Sequence, residues 1–337
     1  MVGALVLVTL TLVLGSRPMS KDTTPVRALI VQGSSAREIA ATLHDRGLIR
    51  SPFLFVLTCT MSGSSNKLRP GVYELSRSMS MPEIVRILVE GKTLESWVTI
   101  PEGKTLREIA DILAAKQLAD PAAFLVLTTS RGDAFPGYPF VCSTNLEGYL
   151  FPDTYLVERG ASAEEIVRMM LATFQKKVLE PKRAEIEDAI ARRFGLGDED
   201  FALGLHKLLT VASLIEREAK VPADRPKISA VIWNRLARGM KLEIDATASY
   251  VLGQSRANKP NLSYADLAND SPYNTYVHPG LPPAPICNPG LASIAAALEP
   301  APIDSLYYVA KPDGSHVFSR TLQEHNRAKQ AIKNGRL

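Results

Sequence analysis

VQGSSAREIAATLHDRGLIRSPFLFVL (Val31–Leu57) and IPEGKTLREIADILAAKQLADPAAFLVL (Ile100–Leu127) are two copies of one pattern. Gly33 aligns with Gly103, Arg37-Glu38-Ile39-Ala40 with Arg107-Glu108-Ile109-Ala110, and Leu43 with Leu113. Each copy reads as a strand, a glycine turn and a helix. Ile39 and Leu43, like Ile109 and Leu113, stand four residues apart and share one helix face. That face is core, and Glu38 and Glu108 read as solvated first-turn acids. Between the copies, LRPGVYELSRSMSMPEIVRILVEGK predicts a Pro-Gly turn, a strand at Val72–Leu75, and a helix at Pro82–Val89 that starts on proline and closes on glycine. Small βα modules of this kind suit binding better than chemistry.

Beyond the second copy the pattern turns helical from Asp120 to about Gly197, interrupted by the loop GYPFVCSTNLEGYLFPDTYLVERG. Ser162 with Glu165 three residues on is a capping box that opens a long helix. RPKISAVIWNRLARGMKLEIDATASYVLG predicts another helix ending at Gly239, then a turn and Asp245. SLYYVAKPDGSHVFSRTLQEHN predicts two strands joined at Asp313-Gly314, then a terminal helix. The fold class is therefore α+β: small βα modules followed by a mixed α/β domain.

At 337 residues, the chain is long enough for more than one compact unit. A formal charge of +4 and no interleaving of basic with aromatic residues argue against a nucleic-acid partner. Cys59, Cys142 and Cys287 lack C-x-x-C spacing, and at most one disulfide can form. His44, His206, His278, His316 and His325 lack ligand spacing and read as surface or capping residues, so no metal site and no cofactor is expected. Ser64 to Lys67 fits S-x-x-K without an accompanying K-T-G. The GKT triplets at Gly91 and Gly103 lack the earlier glycine of a phosphate loop. The first fifteen residues, MVGALVLVTLTLVLG, are almost wholly apolar, yet fewer than the roughly 20 that span a bilayer. No basic residue precedes them and no small-x-small cleavage site follows. An uncleaved anchor is the preferred reading over a secretory segment, with the rest of the chain outside the cytoplasm.

ASLIEREAK (Ala212–Lys220) ends a helix, because Pro222 pushes the residue before it out of helical geometry. The negative end of that helix raises the pKa of a nearby carboxyl. At about 100° per residue, Glu216 and Glu218 lie about 200° apart, so only one of them can serve a given site. Each falls on an edge of the stripe Leu208, Val211, Ala212, Ile215. Glu216 has Lys220 at i+4 and reads as half of a surface ion pair. Glu218 has Val211, Leu214 and Ile215 on its own face and no cation there, with Arg217 pointing away, so it is the carboxyl that keeps its proton nearer neutrality.

NLEGYLFPDTY (Asn145–Tyr155), ASLIEREA with NRL (Asn234–Leu236), DATASY (Asp245–Tyr250) and SPYNTYVHPGLPPAPICNPG (Ser271–Gly290) follow one another in that order. Together they resemble the endolytic murein transglycosylases of the MltG-type, YceG-like family. The resemblance implies a single-pass inner-membrane protein with a LysM-like region and a periplasmic domain that cuts peptidoglycan glycan strands. Its divisions are an anchor at 1–16, a linker at 17–28, a LysM-like module at 29–95 and a catalytic domain at 96–337 that contains the second repeat at 98–128. The family's catalytic acid is the second glutamate of I-E-[KR]-E, which is Glu218. The family's usual D-P-T appears here as Asp245-Ala246-Thr247, a departure that loosens a turn and keeps both polar side chains.

On this resemblance Glu218 protonates the oxygen between N-acetylmuramic acid and N-acetylglucosamine. It then takes the proton of the muramoyl C6 hydroxyl as that oxygen closes a 1,6-anhydro ring. Glu147, Asp153 or Asp245 could supply a second carboxylate for a water-using muramidase instead. Expected substrate contacts are Glu147, Tyr149, Asp245, Thr247, Asn274 and Tyr276, with Tyr273, Thr275 and Phe151 beside them. The other reading of these loop residues is packing. Peptidoglycan and the membrane are the expected partners, with membrane-bound synthases beside them. A non-catalytic wall-binding scaffold is the alternative of a different class.

Overall fold

The computed structural model describes residues 16–253 and 262–336, so the expected anchor at 1–16 lies almost wholly outside the described residues. Among the described residues no helix is long and apolar enough to cross a membrane. The chain divides into two compact units: one takes in the chain up to Val98 together with Tyr155–Ala161, the other Thr99–Thr154 and Ser162–Leu337.

The first unit runs β1 (Pro25–Ile30), α1 (Ala36–Asp45), α2 (Pro52–Met61), β2 (Gly71–Ser76), α3 (Met81–Glu90) and β3 (Glu95–Thr99). β1 pairs antiparallel with β2 in a register that sets Arg27 against Glu74 and Ala28 against Tyr73. β1 starts inside the stretch expected to be a linker. The alternation along it leaves Ala28 and Ile30 buried with Leu43, Phe55, Tyr73, Leu75 and Leu88. Ser35 and Glu38 close a capping box on α1, with the Ser35 N–H donating to Glu38 Oε2 at 2.7 Å. Thr105 and Glu108 do the same on the helix of the second repeat. The acids expected to be merely solvated are thus cap residues. The strand β4 (Thr154–Glu158) pairs with β3. It lies in the segment read as an irregular loop, and its burial alternates as a strand's should.

The second unit contains α4 (Leu106–Ala115), α5 (Pro121–Ser130), α6 (Ala163–Phe174), α7 (Glu180–Phe194), α8 (Phe201–Glu218), α9 (Arg225–Ala237), α10 (Asp245–Leu252), α11 (Tyr264–Leu267) and α12 (Leu291–Leu298). Its C-terminal part is the hairpin β5 (Tyr307–Ala310) and β6 (His316–Ser319), followed by α13 (Leu322–Lys333). The hairpin is antiparallel, with Tyr308 opposite Phe318. α8 is the central post, buried on nearly every face from Leu205 to Ile215 and packed against α7, α9, α10 and α12. The proline-rich segment 283–288 is laid along it by two side chains. The His206 ring bonds to the Pro283 carbonyl at 3.0 Å, and Ser213 Oγ accepts the Ile286 N–H at 3.0 Å. His206 is therefore an interior residue, not a surface one, and burial lowers its pKa. His316 is interior as well, with its ring 3.1 Å from Asp224 Oδ2.

α7 and α8 approach closely at Gly204, where an added Cβ would run into the Ile190 side chain. Overpacking a filled core costs about 1–3 kcal/mol. Chemical denaturation of Gly204→Val is expected to show a loss of about 2 kcal/mol or more.

Candidate active site

α8 stops at Glu218, and Ala219 and Val221 are already extended on the approach to Pro222. This end places the Glu218 carboxyl under the C-terminal hairpin, where the Tyr308 hydroxyl donates to Oε2 at 3.1 Å. The backbone N–H of Ala246, in the first turn of α10, donates to the same carboxyl. Burial dominates the electrostatics: it pushes the Glu218 carboxyl up from 4.5 to about 7, despite two donors that favour the anion. The neighbouring Asp245 adds to the rise and Arg217 opposes it. Burial, reinforced by the Glu218 charge, also raises the Tyr308 phenol far above its ordinary value. Tyr308 therefore remains a donor.

Asp245 accepts a hydrogen bond from the Tyr276 hydroxyl at 2.5 Å, and the charges of Asp245 and Glu218 bear on one another and on Tyr276, so these expected site residues form one cluster with Glu218. Asp245 is the candidate second carboxylate whose charge bears on Glu218. Asp153 is instead paired with Lys177. The NRL motif acts as the clamp that holds this cluster. Asn234 Nδ2 donates to the carbonyls of Ile303 and Ser305, and buried Arg235 donates to those of Leu306, Lys241 and Leu242 and to Glu243. One guanidinium thus fixes the start of β5, which carries Tyr308, and the segment leading to Asp245. Thr247 and Thr275 are wholly buried with their hydroxyls 3.0 Å apart, and Thr275 Oγ1 accepts the Ile244 N–H at 3.0 Å. Asn274, also wholly buried, donates to the carbonyls of Leu267 and Asn269 and accepts from Tyr276 N–H. Thr247 and Asn274, expected as substrate contacts, sit where they order the loop that presents Tyr276.

A second buried carboxyl organises the other side of the unit. Glu147 accepts hydrogen bonds from the Leu106 N–H at the start of α4, from Asn288 Nδ2 at 2.9 Å and from the Tyr250 hydroxyl at 3.3 Å. Burial is again the largest influence and pushes its carboxyl up to about 8. Asn288 Oδ1 in turn accepts the N–H groups of Gly148 and Leu150, which joins the LEGY and CNPG motifs through one side chain. Glu147 lines a cavity of about 700 Å³ with Asn145, Arg217, Ala246, Tyr250 and Tyr273. Of the residues that line this cavity, Arg217 and Ala246 also act on Glu218.

Three expectations are corrected here. Glu216 is not a surface acid paired with Lys220. Its side chain is buried, accepts the Gly290 N–H at 3.0 Å and lies 3.7 Å from Arg225. Arg217 does not simply point away: it donates to the Gly103 carbonyl, and its charge still reaches Glu218. Tyr149 and Phe151 do not present faces to a sugar. Tyr149 is wholly buried with its hydroxyl 2.9 Å from His206 Nδ1, and both rings pack in a cluster with Phe174. Tyr308 went unread in the sequence; its only signal was its place on a strand of the predicted hairpin.

A carboxylic acid held protonated towards neutrality, with a second carboxyl and two tyrosine hydroxyls around it, is equipped for general acid–base chemistry. Residues 29–331 match the YceG-like family. The chain belongs to that family. It is 36% identical over 328 residues to an endolytic murein transglycosylase of Bacillus subtilis, covering 93% of this chain and 86% of that protein. It is 31% identical to an endolytic murein transglycosylase of Streptococcus pneumoniae, covering 88% of this chain and 56% of that longer protein. A solved YceG-like protein of Listeria monocytogenes superimposes with a TM-score of 0.60 at 35% identity, over 92% of this chain and all of that one.

Because Glu218 titrates at about 7 in the folded chain against an ordinary 4.5, the native state holds a proton that the unfolded chain has released. Stability therefore falls as pH rises through that window. Glu218→Gln is expected to gain on the order of 2–3 kcal/mol at pH 8 relative to its effect at pH 4, as read by chemical denaturation. No difference between the two pH values contradicts the burial of an acid here.

Proposed function

We propose that this chain is an endolytic murein transglycosylase that cuts the β-1,4 bond between N-acetylmuramic acid and N-acetylglucosamine within glycan strands and so limits their length. The observation that carries the proposal is the Glu218 carboxyl, buried at the end of α8 and raised to about 7, so that one group can give a proton and then take one. Glu218 protonates the glycosidic oxygen as its bond to muramoyl C1 breaks. The Glu218 carboxylate then accepts the C6 hydroxyl proton while O6 bonds to C1 and closes the 1,6-anhydro ring. The nucleophile belongs to the substrate, so its attack needs no second protein base. Ala246 N–H and the Tyr308 hydroxyl stabilise the carboxylate between the two steps. Asp245 and Tyr276 edge the site and meet the sugar, and Glu147 borders the adjoining cavity.

The strand–helix–helix–strand order from β1 to β2 supports reading residues 29–95 as a LysM-like module that holds glycan. The apolar residues 1–16 are the single-pass inner-membrane anchor, with the remainder periplasmic and within reach of membrane-bound synthases. Asp245 beside Glu218 favours one second reading, a muramidase in which Asp245 activates water.

Digestion of purified sacculi with mass analysis of the fragments tests these readings. Anhydro sugar ends are expected, and free reducing ends in their place identify the muramidase. Glu218→Gln is expected to lower fragment release by about 100-fold or more. Release by the unaltered chain falls as pH rises past about 7, where Glu218 loses its proton. Glu216→Gln is expected to lower the melting temperature, through the loss of its partnership with Arg225, far more than it lowers the rate. Full activity of Glu218→Gln would refute the assignment.

A further inference from the structure

The first unit carries a helix whose outward face lacks the residues that water requires. No Asp, Glu, Lys or Arg occurs from Ser51 to Asn66, the stretch that contains α2. The inner stripe of α2, Phe55 and Cys59, belongs to the core. Phe53, Leu57 and Met61 recur at i, i+4 and i+8 on the opposite side, with Phe53 73% and Met61 72% exposed. A helix that is apolar all round is normally enclosed by protein or lipid. The hydroxyls of Thr58, Thr60 and Ser62 donate to the carbonyls of Leu54, Val56 and Thr58, all within the same helix.

The path of the chain indicates what covers this face. The wholly uncharged run at residues 1–15 joins the unit at Ser16, whose carbonyl accepts the Met81 N–H at 3.0 Å. Met81 Sδ in turn lies 3.5 Å from Thr58 Oγ1 on α2. Arg50, two residues before α2, donates to the carbonyls of Pro18 and Met19 at 3.1 Å. The chain that follows the apolar N-terminal run is therefore held beside α2 at Ser16, Pro18 and Met19. The stretch from Ser16 to Arg69 carries eight lysines and arginines against three acidic residues. That excess of positive charge suits an anionic surface.

We infer that the Phe53–Leu57–Met61 face of α2 rests in the headgroup boundary of an anionic lipid bilayer, as a second membrane contact beside the N-terminal segment. Phe53 and Met61 enter the acyl boundary while cations such as Lys67 and Arg69 meet the headgroups.

The test uses the full chain reconstituted with vesicles of phosphatidylglycerol and phosphatidylethanolamine, whose acyl chains are either brominated or plain. Single tryptophans are introduced by Phe53→Trp, Met61→Trp and, as a control, Glu74→Trp on the sheet face turned away from the core. The unaltered chain supplies the background of its own tryptophans. Brominated chains are expected to quench the added emission of Phe53→Trp and Met61→Trp by about twofold or more, leaving that of Glu74→Trp unchanged. Equal emission in brominated and plain vesicles overturns the inference, as does equal quenching at all three positions. Unquenched Phe53→Trp, together with a lowered oligomeric mass of Phe53→Glu in detergent, overturns it in favour of a second copy of the chain.

Discussion

One hydrogen bond, from the Tyr308 hydroxyl to Glu218 Oε2, joins the end of the central helix to the C-terminal hairpin. It forms only if α8 stops at Glu218, if β5 begins at Tyr307, and if the two are held in register across 90 residues of chain. Much of the second unit serves those conditions. Pro222 ends the helix, Gly204 lets α8 settle against α7, and Arg235 ties the hairpin to the segment before Asp245. The hydroxyls of Thr247 and Thr275 then set the first turn of α10, whose Ala246 N–H reaches the same carboxyl.

Two opposing effects meet at Glu218, and their order of size decides what the group can do. Hydrogen bonds from Tyr308 and Ala246 favour the anion, yet burial outweighs them and the nearby Asp245 adds to its effect. Had the donors prevailed, the group would be a permanent carboxylate unable to donate a proton. With burial alone, the acid would have no partners for the charge it acquires on reacting. Ala246 matters here because it supplies a backbone N–H to the carboxyl, which a proline at this place could not do.

Features that depend on neighbours within one helical turn were legible in the sequence. The repeat, the Ser162–Glu165 capping box, the hairpin at Asp313-Gly314 and the end of α8 all follow from spacing and from proline or glycine chemistry. Features set by distant partners were not. The i+4 rule assigned Glu216 to Lys220, but Arg225 and the Gly290 N–H, brought in by tertiary packing, took its place. Aromatic residues of the LEGYLF loop looked like sugar platforms because composition does not distinguish an exposed ring from one enclosed by Phe174. His206 and His316 looked superficial for the same reason, since their partners Tyr149 and Asp224 are remote in sequence. Strand β4 escaped notice because it stands alone between a loop and a helix, and its pairing with β3 is long-range.

The central claim is that the Glu218 carboxyl keeps its proton to near neutrality. A direct measurement is the infrared carbonyl band of protonated Glu218 followed against pH, isolated by subtracting the spectrum of Glu218→Gln. The account predicts a midpoint close to 7. A midpoint at the ordinary 4.5 would contradict it.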